Sequence, residues 1–199
     1  MNIPQLLILL RLLMAPVILF IGWKFGENGA LAILVLMYID LFSDIFDGII
    51  ARKQNISTEK LRRLDSQVDM LFWVSIGVSS WFIYPDLINA NIYYIGLLFG
   101  MEILCYIISF IKFRKETCTH AFLSKLWGLT LLAAFTSILG FGYTGFPFAL
   151  AIIMGLISHL DVILIILILP KWQHDIPSSY HAYLIRNGIA FKKSKLLNS

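Results

Sequence analysis

Polar residues are sparse along this chain, and most of them fall in short breaks between long apolar runs. Six runs approach the length that a bilayer core requires, about 20 residues per helix. They are roughly Ile3–Trp23, Ala30–Ala51, Asp65–Tyr84, Asn91–Phe113, Ser124–Phe141 and Phe146–Leu169. Arg11 and Pro16 interrupt the first, and the second is apolar at its start and acidic toward its end. Glu102 lies inside the fourth; His159 and Asp161 lie inside the sixth, which stops at Pro170. The breaks carry turn residues, as in Gly26-Glu27-Asn28-Gly29, Pro85-Asp86 and Gly142-Tyr143-Thr144-Gly145-Phe146-Pro147. No run alternates apolar and polar positions, so the pattern predicts helices rather than barrel strands. The expected fold is all-α: a polytopic membrane helical bundle of six transmembrane helices over residues 1–170, followed by a cytoplasmic amphipathic and basic tail over 171–199.

Composition agrees. Of 199 residues, 59% are hydrophobic and 14% charged, with a mean hydropathy of +0.81; soluble domains run about 45–50% apolar and about 25% charged. A soluble domain, a disordered tail, a collagen-like fibre and a nucleic-acid-binding module are excluded. Two cysteines cannot staple a disulfide scaffold. Cys105 sits in an apolar stretch and Cys118 beside basic residues, which suits a reduced, cytosol-facing setting.

The net charge of +4 matters less than its distribution. Arg52, Lys53, Lys60, Arg62 and Arg63 lie in the Arg52–Arg63 connection; Lys112, Arg114, Lys115 and Lys125 lie in the Lys112–Lys125 connection; Lys171, Arg186, Lys192, Lys193 and Lys195 lie in the tail. The opposite side carries Lys24, and Arg11 lies within the first run. By the positive-inside rule both termini face the cytoplasm. The amino terminus lacks a basic start and a small-residue cleavage site, which suits a retained first helix better than a signal peptide. Tyr180, Tyr183, Leu184 and Ile189 stand among basic residues of the tail, as expected of a segment lying on an anionic membrane surface. A loosely ordered tail is the alternative.

The chemistry concentrates in Asp40–Asp69, DLFSDIFDGIIARKQNISTEKLRRLDSQVD. Asp40, Asp44 and Asp47 are four and three apart and share one helical stripe; Asp65 and Asp69 share another. A short basic connection brings both helix ends to one membrane depth. A carboxylate at a helix centre costs about 2.5–3.5 kcal/mol on insertion scales, so positive charge must offset this set. Arg52, Arg62 and Arg63 could do so as interfacial salt bridges. Carboxylates converging from two helices are also the ligand set of a hard divalent cation, Mg²⁺ or Mn²⁺, and four of them suit two ions. Such ions commonly hold phosphate oxygens. Gly48 and Ala51 leave room for a ligand or for close helix packing, and Arg52 can reach a phosphate or anchor the loop.

This stretch resembles the signature of the CDP-alcohol phosphotransferases, D-x2-D-G-x2-A-R-x8-G-x3-D-x3-D. Asp44, Asp47, Gly48, Ala51, Arg52, Asp65 and Asp69 match at the family's spacing, and Leu61 replaces the second glycine. Six helices with the motif at the cytoplasmic end of the second and start of the third is the family's layout. The opening Asn2-Ile3-Pro4 with Arg11 and Pro16 resembles the phosphatidylglycerophosphate synthase branch. The resemblance implies an integral membrane enzyme of phospholipid synthesis, with its site facing the cytoplasm at a bacterial inner membrane. A phosphatidyl group would pass from a CDP-linked lipid, most often CDP-diacylglycerol, to an acceptor alcohol, with release of CMP. By family position Asp44, Asp47 and Asp65 are metal ligands. Asp69 is the general base and in some members a ligand too, and Gly48, Ala51 and Arg52 contact the donor. The missing glycine puts the shape of the nucleotide pocket in question. A homodimer is implied by the same analogy.

Arg114, Lys115 and Lys125 lie on the same side as the acids and are candidates for an acceptor phosphate, with glycerol 3-phosphate as first choice; positive-inside anchoring is the alternative. Arg11 must have a partner, and Asp40 lies outside the signature as a supporting acid. Glu102, His159 and Asp161 are intramembrane ionisable groups, expected to form interhelical hydrogen bonds or touch substrate. Two other functions fit parts of the pattern. A Mg-dependent intramembrane prenyltransferase usually carries two acidic motifs far apart in sequence. A cation-coupled carrier favours broken helices near the midplane.

Sidedness is directly measurable. In a cysteine-free background, a single cysteine within residues 54–57 should label only from the cytoplasmic side, and one within Gly26–Gly29 only from outside. Labelling of both from outside would remove the six-span expectation.

Overall fold

A computed structural model describes residues 3–53, 59–117, 119 and 121–190, with the side chains of residues 3–4, 44–53 and 59 outside the description. Six long helices run along the described residues: α1 (Ile3–Phe25), α2 (Ala30–Lys53), α3 (Glu59–Ile83), α5 (Ile92–Phe113), α6 (Phe122–Phe141) and α7 (Phe146–Ile168). Short helices α4 (Pro85–Ala90) and α8 (Ser179–Arg186) and a 3₁₀ turn at Gly26–Gly29 complete the set. No strand occurs among the described residues.

Among the described residues, four stretches are long and apolar enough to cross a bilayer: Gln5–Ser43, Ile92–Phe113, Phe122–Phe141 and Phe146–Ile168. The first takes in most of α1 and α2. The α3 helix is not among them; Glu59, Lys60, Arg62, Arg63, Asp65 and Asp69 crowd its first half and several serines line its second. Outward positions are as apolar as inward ones: Leu13, Phe20, Leu31 and Ile111 all lie more than half exposed, as a protein solvated by lipid requires.

The chain divides into two compact units. Unit 1 comprises residues 1–91 and 132–145, and unit 2 comprises 92–131 and 146–199. Helix α6 thus gives its first half to unit 2 and its second half to unit 1.

In unit 1, α1 packs against α2 and, most extensively, α3. Its core holds Ile18, Ile33, Met37, Phe72, Ile76 and Leu139, with Trp73 stacked on Phe135 at 5.9 Å. Pro16 does not break α1, which runs unbroken through it; transmembrane helices tolerate proline where neighbours satisfy the freed backbone. The buried serines of α3 find carbonyl acceptors. Ser75 and Ser80 donate to Leu71 and Ile76 one turn back, both at 2.8 Å, and Ser79 donates across to Ile18 of α1 at 3.0 Å. That crossing is close because of Gly22, where a Cβ would stand 2.7 Å from Ser79 Cβ.

In unit 2, α5 packs on α7 and α7 on α8, around Cys105, Val162, Ile165, Ile166, Leu169, Ile176 and Ala182. Lys112 Nζ donates to the carbonyls of Ile166 (3.0 Å) and Leu167 (2.7 Å), capping the C-terminal end of α7. The segment after Pro170 is tied to the α5–α6 connection. Trp172 Nε1 donates to Glu116 O, Ile176 N to Thr119 O, and Phe122 N to Pro177 O, at 2.8, 2.8 and 2.9 Å.

The α1–α3 approach makes a prediction. Gly22→Leu forces a branched side chain against Ser79, and overpacking of this kind costs about 1–3 kcal/mol. Thermal unfolding in detergent should show a lower midpoint for Gly22→Leu, with Gly22→Ala intermediate.

Candidate active site

The acidic motif spans the end of α2 and the beginning of α3 in unit 1. Asp44, Asp47, Gly48, Ala51 and Arg52 lie on the last turns of α2, and their side chains lie outside the described residues. Asp65 and Asp69 lie one turn apart on α3, both half-buried.

Their partner is Arg11. Its side chain has no exposed surface, and it sits among carboxylates from two helices. Nε lies 3.3 Å from Asp40 Oδ1 on α2, and Nη1 donates to Asp65 Oδ1 at 3.2 Å and to Asp69 Oδ1. The sequence implied that Arg11 needs a counter-charge; the structure supplies Asp40, Asp65 and Asp69. Asp40 takes the supporting place expected of an acid outside the signature. Such a set is stable only while it is complete, because an unpaired charge in a dry setting costs several kcal/mol.

The same geometry tests the fit of a divalent metal. Oxygens from successive turns of α3 converge on one cationic nitrogen, and every donor is a carboxylate oxygen, the chemistry that Mg²⁺ and Mn²⁺ select. Asp65 and Asp69 therefore fit as part of such a site. No group of three or more metal-binding side chains stands among the described residues; Asp44 and Asp47 lie outside that set.

Leu61, where the family has glycine, falls in the basic connection between the second and third apolar runs. It belongs to α3 instead, half-buried, because the helix begins at Glu59 and carries Lys60, Arg62 and Arg63 in its opening turns. Leucine is a strong helix former and glycine costs about 0.8–1.0 kcal/mol there, so Leu61 favours this early start.

The basic candidates belong to unit 2. Arg114 is exposed, in the left-handed region (φ 53°), and its N–H donates to Phe110 O at the end of α5. Lys115 Nζ lies 4.6 Å over the Trp172 ring, a cation–π contact. Lys125 is exposed in the first turns of α6.

The intramembrane ionisable groups of unit 2 divide as their two-residue spacing requires. Asp161 Oδ1 accepts from the Ser179 N–H at 3.0 Å, at the start of α8. His159 turns to α5, with Nε2 2.6 Å from Glu102 Oε2 and Nδ1 2.6 Å from Gly155 O. A carbonyl only accepts, so Nδ1 carries hydrogen. One proton is then shared between Nε2 and Oε2: imidazolium with carboxylate, or neutral imidazole with carboxylic acid. Trp127 packs edge-on to His159 at 4.7 Å, and Gly155 admits it, since a Cβ there would lie 2.7 Å from Trp127 Nε1. Sequence reasoning missed Trp127; the glycine four residues before His159 was its one trace.

The family model for CDP-alcohol phosphatidyltransferase matches residues 1–177, and the chain belongs to that family. It is a membrane transferase of phospholipid synthesis. The CDP-diacylglycerol–glycerol-3-phosphate 3-phosphatidyltransferase of Aquifex aeolicus (strain VF5) is 33% identical over 174 residues, 86% of this chain and 92% of that protein. No solved structure matches the chain.

The shared proton of unit 2 can be tested by stability. Glu102→Gln leaves an amide N–H to donate to neutral Nε2 and should shift the unfolding free energy by less than about 1 kcal/mol. His159→Ala removes the ring that Glu102 faces, strands Glu102 and opens space beside Trp127, at a cost of about 1–3 kcal/mol. Urea or thermal unfolding in detergent checks the order.

Proposed function

We propose that this protein transfers the phosphatidyl group of CDP-diacylglycerol to glycerol 3-phosphate. The observation that carries this reading is the relative, whose name states both substrates and which aligns along 92% of its own length. The match of Asp44, Asp47, Gly48, Ala51, Arg52, Asp65 and Asp69 to the family signature supports the same chemistry.

In this reading Asp44, Asp47, Asp65 and Asp69 hold two divalent ions, Mg²⁺ or Mn²⁺, and Gly48, Ala51 and Arg52 contact the donor. When bound, the ions offset the negative charge of the pyrophosphate. Asp69 takes the proton of the acceptor hydroxyl. The hydroxyl oxygen attacks the lipid-side phosphorus, the bond from that phosphorus to the bridging oxygen breaks, and CMP leaves with the electron pair. Arg114, Lys115 and Lys125 bind the acceptor's phosphate through charge-assisted hydrogen bonds. Six spans, with both termini and the acidic motif on the cytoplasmic side of a bacterial inner membrane, fit the six long helices and the lysine and arginine distribution. In the same reading residues 1–170 form the catalytic membrane domain, and 171–199 are a tail on the cytoplasmic face.

The test is CMP release from CDP-diacylglycerol by purified protein against a panel of acceptors. Turnover is expected with glycerol 3-phosphate and not with serine or choline, and chelation should abolish it. Asp47→Asn should lower turnover by about 100-fold or more. Lys125→Ala should raise the KM for acceptor about tenfold, with donor binding unchanged. Turnover with serine or choline alone would overturn the acceptor assignment.

A further inference from the structure

Asp65 and Asp69 already hold a cation, and it is the chain's own. Arg11 Nη1 lies 3.2 Å from Asp65 Oδ1 and also donates to Asp69 Oδ1, so two oxygens from successive turns of α3 meet at one positive nitrogen. A divalent ion held by the same two oxygens needs the same place, and one place cannot take two cations. Asp69 is also engaged as a base: an oxygen accepting from a guanidinium is a poor acceptor for the proton of a hydroxyl. In the described arrangement Arg11 holds the Oδ1 atoms of Asp65 and Asp69, so metal loading or proton removal at those two oxygens requires Arg11 to let go.

We propose that Arg11 is an exchangeable internal cation, which holds Asp65 and Asp69 together in the absence of divalent metal and yields them when the metal binds. The inference rests on the metal-dependent reading above. The guanidinium suits the task because its five N–H donors are spread over a rigid fork. Nη1 can leave α3 while Nε stays 3.3 Å from Asp40. Asp40, outside the family signature, then serves as the retained partner that keeps the displaced charge from being stranded. A fully buried arginine needs such a second carboxylate if it is to move at all. Arg11 acts through the aspartates, so it is a positioning residue.

The test uses the full chain in detergent or nanodiscs, with neither donor nor acceptor present. Mn²⁺ is titrated in and the free ion followed by electron paramagnetic resonance, and thermal unfolding is recorded on the same samples. Exchange predicts that Arg11→Gln binds Mn²⁺ about tenfold more tightly than the unaltered protein. It also predicts a lower unfolding temperature for metal-free Arg11→Gln, with most of the difference removed by saturating Mn²⁺. Arg11→Lys keeps the charge without the fork and should bind Mn²⁺ with intermediate affinity; it is the milder change and serves if Arg11→Gln does not fold. Mn²⁺ affinity equal to or weaker than that of the unaltered protein, in Arg11→Gln or otherwise in Arg11→Lys, would overturn the exchange. Failure of the unaltered protein to bind Mn²⁺ would instead overturn the metal-dependent reading and the exchange with it.

Discussion

A guanidinium with no exposed surface, in a helix that is otherwise mostly apolar, is tenable only beside negative charge. Asp40, Asp65 and Asp69 supply that charge from two other helices. That requirement joins α1 to both acidic helices at one point, and the surrounding packing follows. Gly22, eleven residues further along α1, lets that helix close on Ser79 of α3, and Ser79 binds the Ile18 carbonyl between them. The ion cluster and the glycine contact fix α1 on α3 at two heights. Helix α3 is thereby held although its first half is too charged to be placed by hydropathy alone.

Unit 2 meets the cost of burying polar groups in another way. It uses no buried full ion cluster of that kind among the described residues. One proton links Glu102 to His159, a backbone N–H reaches Asp161, and a lysine closes the end of α7. These are links between neighbouring elements of a scaffold. The polar groups of unit 1 that contact Arg11 instead converge, and convergence is what a reaction needs.

Much of this was legible in the sequence. The apolar runs placed five of the six long helices within about two residues, because lipid leaves little choice but helix once a run is long enough. The exception was α3, expected from Asp65 and found from Glu59. A hydropathy edge marks where a helix leaves the bilayer, and Glu59, Lys60, Arg62 and Arg63 continue the helix past that edge. The acid spacing was legible for the same reason, since a period of 3.6 residues fixes which aspartates share a stripe. The partner of Arg11 was not. Its carboxylates lie 29 to 58 residues away along the chain, and only the packing of α1 on α3 selects them. Trp127 beside His159 was hidden likewise, behind the missing side chain of Gly155.

The division of α6 between the two units bears on how the protein is made. Unit 1 needs residues 132–145, which leave the ribosome only after the first 40 residues of unit 2. Until then Trp73 lacks Phe135, Tyr38 lacks Thr136, and Leu139 is missing from the core. The acidic helices are therefore made long before their scaffold is closed, and through that interval Arg11 is a positive charge that α1 already offers to Asp40, Asp65 and Asp69. Nor can either unit be cut out as a continuous piece. A gene fragment ending at residue 91 would encode unit 1 without residues 132–145, and exchanging units between relatives would require three crossovers.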